Sequence, residues 1–264
     1  MSPATDDHAH LFGSSDHADS AGQPWRGRRF EANQAASDDG SADAALAAAL
    51  TSFAEGHGTQ SAVIEAFRGA RMLVPLLAHA GDVGETSDGH LVDKSQELSI
   101  TTVSAPDGRA VLPAFTSVQT LTAWNPGARP VPAAGPRVAL AAASEQTQLI
   151  VIDPTSAGEF VMRRPAVMAL ATGGSWRPPW DDDDVAASFR ESIADQEAAL
   201  EVTLAAGDPT ARLAGPELEV GLVLRPGLEA DAVGEHVRRL SARWSQSQVI
   251  AERVDSMTLR LLHP

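Results

Sequence analysis

Cysteine is absent from the 264-residue chain, so a disulfide, a thiolate nucleophile, an iron–sulfur cluster and a cysteine-type zinc site are all excluded by composition. Basic charge is scarce: Lys94 is the sole lysine, and 35 acidic against 20 basic residues leave a formal net charge of -15. Phosphate-backbone binding needs clustered Lys and Arg, so nucleic acid is not an expected partner. No apolar run approaches the roughly 18 residues of a membrane span, and a membrane is not expected either. The opening MSPATDDHAHLFG lacks the basic and apolar regions of a secretory signal. The expectation is a soluble cytoplasmic protein.

What is present suffices for one large or two ordinary domains, at about 100 to 200 residues each. Residues 1–42 are rich in Asp, Ser, Gly, Ala and His and poor in large apolar groups. Such a segment cannot offset the entropy of ordering, so a mostly disordered arm is expected. Its exception is PWRGRRF, where Trp25 and Phe30 flank Arg26, Arg28 and Arg29. That run is either a docking element or a solvated basic patch.

The folded part opens with Asp43 capping an Ala/Leu-rich helix to about Glu55, then a Gly56-His57-Gly58 break and a second helix capped by Thr59. Arg71 to Leu77 reads as a strand whose Pro75 belongs at an edge or bulge. His79 to Gln96 reads as a loop. The stretch DGRAVLPAFTSVQTLTAWNP, residues 107–126, joins a turn, a strand, a cap, a helix and a stop. Leu98 to Ser104 and Arg109 to Phe115 form a hairpin about Ala105-Pro106-Asp107-Gly108. Thr116 or Ser117 can cap the helix that ends at Pro126, with Thr116 and Gln119 at capping-box spacing. Pro136 opens another helix to about Glu145, Leu149 to Ile152 and Glu159 to Met162 are strands that can pair, and Pro165 starts a short helix. Without a steady strand–helix alternation the class is α+β, a mixed, mostly antiparallel sheet with flanking helices.

TGGSWRPPW is irregular, so residues 172–184 read as a linker between domains 43–171 and 185–264. After the acidic run Asp181 to Asp184, a helix with Val185, Phe189, Ile193, Leu200 and Leu204 on one side is expected. A strand from Leu218 to Leu224, a helix from Leu228 to Trp244, and strands from Val249 to Val254 and Met257 to Leu262 complete a smaller β-α-β-β module.

Catalytic motifs fail on inspection. Gly56-His57-Gly58 has Ser61 where a dinucleotide fingerprint needs glycine, and no strand precedes it. Gly173-Gly174-Ser175-Trp176-Arg177 lacks the last glycine of a nucleophile elbow. The histidines, including His8, His10 and His17 of the arm, form no ligand pair on a helix, and Asp181 to Asp184 lack the spacing of a calcium loop. No metal and no cofactor is expected. Thr116 and Ser117 sit where a helix N-terminus could meet an anion, although capping alone explains both. Trp124 suits the core, and Arg163 and Arg164 suit pairing with acidic surface.

Taken together, LPAFTS at 112–117, the preceding Asp107-Gly108, Trp124 one helix later, the strand ending in Asp153-Pro154 and RMLVPLL upstream resemble the N-terminal domain of the SseB family, named for enhanced serine sensitivity. The layout after 185 resembles the family's smaller C-terminal domain, and the Ala/Arg-heavy composition resembles actinobacterial members. Many members carry Asn-Pro where this chain has Asp153-Pro154. The resemblance implies a cytoplasmic protein without catalytic residues to carry over. The reading is therefore a non-enzymatic protein that binds or regulates another protein, with Thr116, Ser117, Trp124, Arg163 and Arg164 as interaction candidates. The alternative is a metabolite binder or enzyme connected with serine or sulfur metabolism; lack of cysteine opposes persulfide chemistry.

Overall fold

The computed structural model describes residues 38–78, 83–85, 91–93, 98–144 and 147–263. The PWRGRRF segment, the arm histidines and most of the stretch read as the loop 79–96 lie outside them. Residues 39–264 form one compact unit.

Two capped helices begin it. Helix α1 (Ala44–Ala54) starts where the Asp43 carboxylate accepts the amides of Ala45 and Leu46, and α2 (Gln60–Gly69) starts where the Thr59 hydroxyl accepts that of Ala62. Strand β1 (Arg71–Ala78) follows, then the short hairpin β2 (Val83–Glu85) and β3 (Leu91–Asp93), then β4 (Leu98–Ile100). β5 (Val103–Ser104) and β6 (Ala110–Ala114) close about the 105–108 turn, but Leu98–Ile100, expected in the same hairpin, pairs with β1 instead, and α3 (Val118–Trp124) ends at Asn125. The unforeseen β7 (Arg129–Ala134) leads into α4 (Gly135–Ser144); β8 (Ile150–Ile152) and β9 (Phe160–Met162) pair antiparallel, and α5 (Arg164–Ala171) starts with its proline inside the first turn.

Strand order is β4-β1-β7 in one sheet and β5-β6-β8-β9 in another, joined by a bridge in which Leu73 and Phe115 exchange both backbone bonds at 2.8 Å. β1 is thus central, where Pro75 was expected at an edge. It is tolerated because it falls between the Phe115 bridge and β4, which pairs only with Leu76 to Ala78. On its other side Pro75 faces Pro130. Gly135 donates to Ala70, so alternation along an antiparallel pair turns Pro130 and Pro132 away from β1, onto the outer edge of β7 where no ladder needs their amides. Helices α1, α2, α4 and α5 supply Leu46, Ile64, Phe67, Val138 and Leu170 to a core that the sheet meets with Leu112, Ile150, Ile152 and Phe160.

The C-terminal part differs more from expectation. After a 3-10 turn at Pro179–Asp181, helix α6 (Asp183–Ile193) stops nearly three turns before Leu204. Leu200 and Leu204 lie on β10 (Ala199–Ala206), whose alternating Val202, Leu204 and Ala206 pair with Leu222, Val220 and Leu218 of β11 (Leu218–Leu224). α7 (Ala230–Gln246) runs into α8 (Gln248–Arg253), where a strand was expected; Ser247 accepts the Ile250 amide and starts a new helix. β12 (Met257–Leu262) returns parallel to β11. In place of β-α-β-β, the order is helix, two strands, two helices, strand. Val185 and Phe189 of α6, Val220 and Leu222 of β11, and Leu240 and Trp244 of α7 build a second hydrophobic cluster there, in which the Phe189 and Trp244 rings lie 5.2 Å apart. The pairings are mostly antiparallel and the class is α+β.

Two glycines test this packing from opposite sides. A methyl on Gly135 would stand 2.0 Å from the Phe67 carbonyl oxygen, whereas one on Gly234, inside α7, meets nothing within 4 Å. Gly135→Ala is expected to lower stability by about 1–3 kcal/mol or more through overpacking, and Gly234→Ala to raise it by about 0.5–1 kcal/mol, both read from urea unfolding.

Candidate functional site

The strand-to-helix junction at Phe115–Val118 faces the turn that leaves β8. The Asp153 backbone is left-handed, with φ 45°, and so is Thr155, with φ 67°. Two such residues so close together, neither glycine, mark a turn its surroundings must impose. The Asp153 amide donates to Ala114 at 2.9 Å, Ser156 donates back to the Asp153 carbonyl at 3.1 Å, and the Glu159 carboxylate takes the Thr155 amide at 2.7 Å.

In that position the buried Asp153 carboxylate reaches Thr116. Oδ1 accepts the Thr116 amide at 2.8 Å and Oδ2 the Thr116 hydroxyl at 2.6 Å. The Thr116 carbonyl takes a bond from Arg71 at 3.1 Å. Ser117, not Thr116, is the helix cap: its hydroxyl accepts the Thr120 amide at 3.1 Å and Thr120 Oγ1 accepts the Ser117 amide at 3.3 Å. The box therefore spans Ser117 and Thr120, one residue beyond Thr116 and Gln119, because Thr116 is already bound to Asp153. The Val118 amide goes to the Gly40 carbonyl at 2.9 Å. An anion would find these amides occupied by the chain's own oxygens.

A hollow of about 480 Å³ opens beside this junction, walled by Thr116, Thr120 and Asp153, by Ser156 to Gly158, and by Leu50, Thr51, Ala54 and Glu55 of and after α1. Trp124, at the end of α3, is half-buried against Phe115 with ring centroids 5.2 Å apart, and lines a different, smaller hollow of about 250 Å³ with Pro154. Thr116 and Ser117 thus share one site, and Trp124 does not join it.

Arg163 and Arg164 are elsewhere, at the corner between β9 and α5. Arg163 is 6% exposed and donates to Asp208 Oδ2 at 2.6 Å, the Gly215 carbonyl at 2.7 Å, Ser256 Oγ at 3.2 Å and Asp255 Oδ2 at 3.3 Å. Arg109 holds the other side of Asp255, at 2.9 Å, and Arg164 donates to the carbonyls of Ala251 and Val254. Arg163 does pair with acids, though with acids of the interior, since Asp208 and Asp255 are almost wholly buried, whereas Arg164, expected to do the same, is held by backbone carbonyls. Asp208 also gathers the amides of Arg212 and Leu213.

Glu217, beside this cluster, lacks such an arginine. Its carboxylate accepts the Asp255 amide at 2.6 Å, but burial, with the neighbouring Asp255 charge adding to it, pushes it up to about 7. Beyond the expectation that Arg163 pairs with acids, the sequence hinted at none of these partners.

The larger hollow of about 550 Å³ near Trp176 is lined by Asp182 to Asp184. Those acids are otherwise engaged: Asp182 caps α6, and Arg253 pairs with Asp182 at 2.9 Å and Asp184 at 2.7 Å. Among the described residues no three His, Asp or Glu side chains group as metal ligands, and no helix is long and apolar enough to cross a membrane. At Thr116 a hydroxyl meets a carboxylate directly, and no histidine is among the residues that wall the hollow.

Residues 46–169 match the family model described as the SseB protein N-terminal domain. The match runs from inside α1 to inside α5, the span of the first hydrophobic cluster but for Leu170 and Ala211. No curated protein and no solved structure matches the chain.

Two expectations follow from these bonds. Ser117→Ala is expected to cost about 1 kcal/mol while Ser117→Asn preserves the cap, and Thr116→Ala to cost about 1–3 kcal/mol by stripping donors from Asp153; chemical denaturation of the three variants measures it. For Glu217, a folded value above its ordinary 4.5 means that its contribution is fully present below 4.5 and is lost as pH rises through 7. Glu217→Gln removes that loss, so its stability relative to the parent is expected to climb by up to about 3 kcal/mol between pH 4 and pH 8.

Proposed function

This chain belongs to the SseB family through the N-terminal domain of residues 46–169, and from that premise we propose that it is a non-enzymatic cytoplasmic protein whose groove around residues 107–126 engages another protein. The observation that carries the reading is the hollow beside Thr116 and Asp153. Its wall is rigid, since capping box, turn and carboxylate hold one another. Its rim is wet, since Thr51, Ala54, Glu55 and Ala157 are exposed. Small-molecule sites bury most of their ligand behind apolar walls. A hollow with this rim suits a side chain delivered on a larger surface, where a preformed pocket receives an anchor and the surrounding contacts exclude water. The absence of cysteine means that no oxidising compartment is needed for its fold.

Ala157 supplies the test. It is exposed on the hollow's rim, and an arginine there would fill the space while leaving the residues Thr116 and Asp153 in the chain. With a photo-crosslinking side chain at Thr51, the full chain is expected to trap a discrete protein that Ala157→Arg, folded to the same degree, traps at least about tenfold less, the loss of one anchor. Crosslinks that are absent, or identical in both forms, would sink the proposal. A melting temperature raised by free amino acids or nucleotides would favour the metabolite reading instead.

A further inference from the structure

Asp153 is the one acid in the buried polar set, apart from the raised Glu217, whose carboxylate takes no bond from Lys, Arg or His among the described residues; the nearby Arg71 donates to the Thr116 carbonyl instead. Asp208 and Asp255 share Arg163, and Arg109 adds to Asp255. Asp153 is 6% exposed and, among the described residues, its side chain is bonded to the amide and hydroxyl of Thr116 alone. A carboxylate offers about four acceptor sites, so half of its capacity is open. Buried charges are ordinarily paired, because removing a lone one from water is costly.

The surroundings of Asp153 reinforce its sign. Among the residues that wall the hollow are Glu55 and Asp153 and none that is Lys, Arg or His. Helix α1 ends at Ala54 on the same wall, which puts the negative end of its dipole near the hollow, although the carbonyls of Thr51, Ser52 and Phe53 are taken by the amides of the turn that follows. Thr120 and Ser156 add hydroxyls that can accept further bonds. Four other hollows among the described residues differ, each with arginine on its wall, as Arg253, Arg212 or Arg163.

We propose that the hollow beside Asp153 is a receptor for a single cationic group, an ammonium or guanidinium, carried on a basic side chain of the partner protein. This rests on the protein-binding reading above and adds the chemistry of the anchor. The cation donates to the open lone pairs of Asp153, its stem lies along Leu50 and Ala54, and its charge faces Glu55 and the end of α1. Nothing else at the site changes, since Thr116 keeps the carboxylate aimed.

The test uses the full chain, titrated with acetyl-Gly-Lys-Gly-amide and followed by amide NMR at Thr116, Thr120 and Ala157. Saturable shifts are expected at these amides. Acetyl-Gly-norleucine-Gly-amide, which keeps the stem and loses the charge, is expected to give none. Asp153→Asn retains shape and one acceptor and is expected to weaken the lysine peptide by about tenfold, as befits a hydrogen bond to charge; Ala157→Arg, whose own guanidinium would occupy the hollow, is expected to block it. Equal shifts with norleucine, or shifts unchanged in both variants, would overturn the inference. Butylammonium binding as tightly as the peptide would assign the hollow to free amines and overturn the protein-borne source. A trapped partner lost with Ala157→Arg yet kept with Asp153→Asn would fell the cation and spare the protein reading; lysine-peptide binding with no trapped protein would do the reverse.

Discussion

The Arg163 guanidinium is the constraint on which the rest of the molecule turns. Once β9 and α5 bring an arginine to 6% exposure, its charge must be answered, and the answers come from two distant stretches: Asp208 with Gly215, and Asp255 with Ser256. A buried pair of this kind is weak evidence of net stabilisation, yet removing one partner leaves a charge stranded at a cost of about 3–5 kcal/mol. It therefore selects an arrangement more than it strengthens one. The backbone agrees, since the Ala211 carbonyl takes the Val161 amide at 2.7 Å and extends the edge of β9.

Local signals were legible where local chemistry decides. Asp43, Thr59 and the 105–108 turn do what their side chains dictate within four residues, and the β8–β9 pair follows from two short apolar runs near each other. Legibility failed where two periods compete. Leu200 and Leu204 continue the apolar stripe of α6 at helical spacing, but Val202, Leu204 and Ala206 also alternate, and pairing with β11 decides for the strand. Val249 to Val254 reads as a strand by composition, but the Ser247 cap and Ile250 on the core side make it a helix. The partners of Arg163 were beyond reach for a plainer reason. Asp208 and Asp255 lie 45 and 92 residues away, and no spacing rule links them.

The candidate site shows how one neighbour can invert a reading. From sequence, Thr116 and Ser117 at a helix start suggested a place for an anion. The fold supplies the anion itself, in the Asp153 carboxylate, and leaves a hollow of negative character. The Asp-Pro dipeptide marked the turn correctly; what the turn is for depended on residues 37 positions earlier. The family match covers this whole arrangement and stops before the residues that answer Arg163.

The prolines of β7 carry a consequence beyond their own sheet. On an outer edge where Pro130 and Pro132 take two of the three outward positions, with Ala134 the third, most of the donors are missing, so another strand laid beside it finds acceptors with few donors. Partly folded copies crowding one another at high concentration meet a seam that will not zip, and the chain is spared one route to irreversible clumping before its own core has closed.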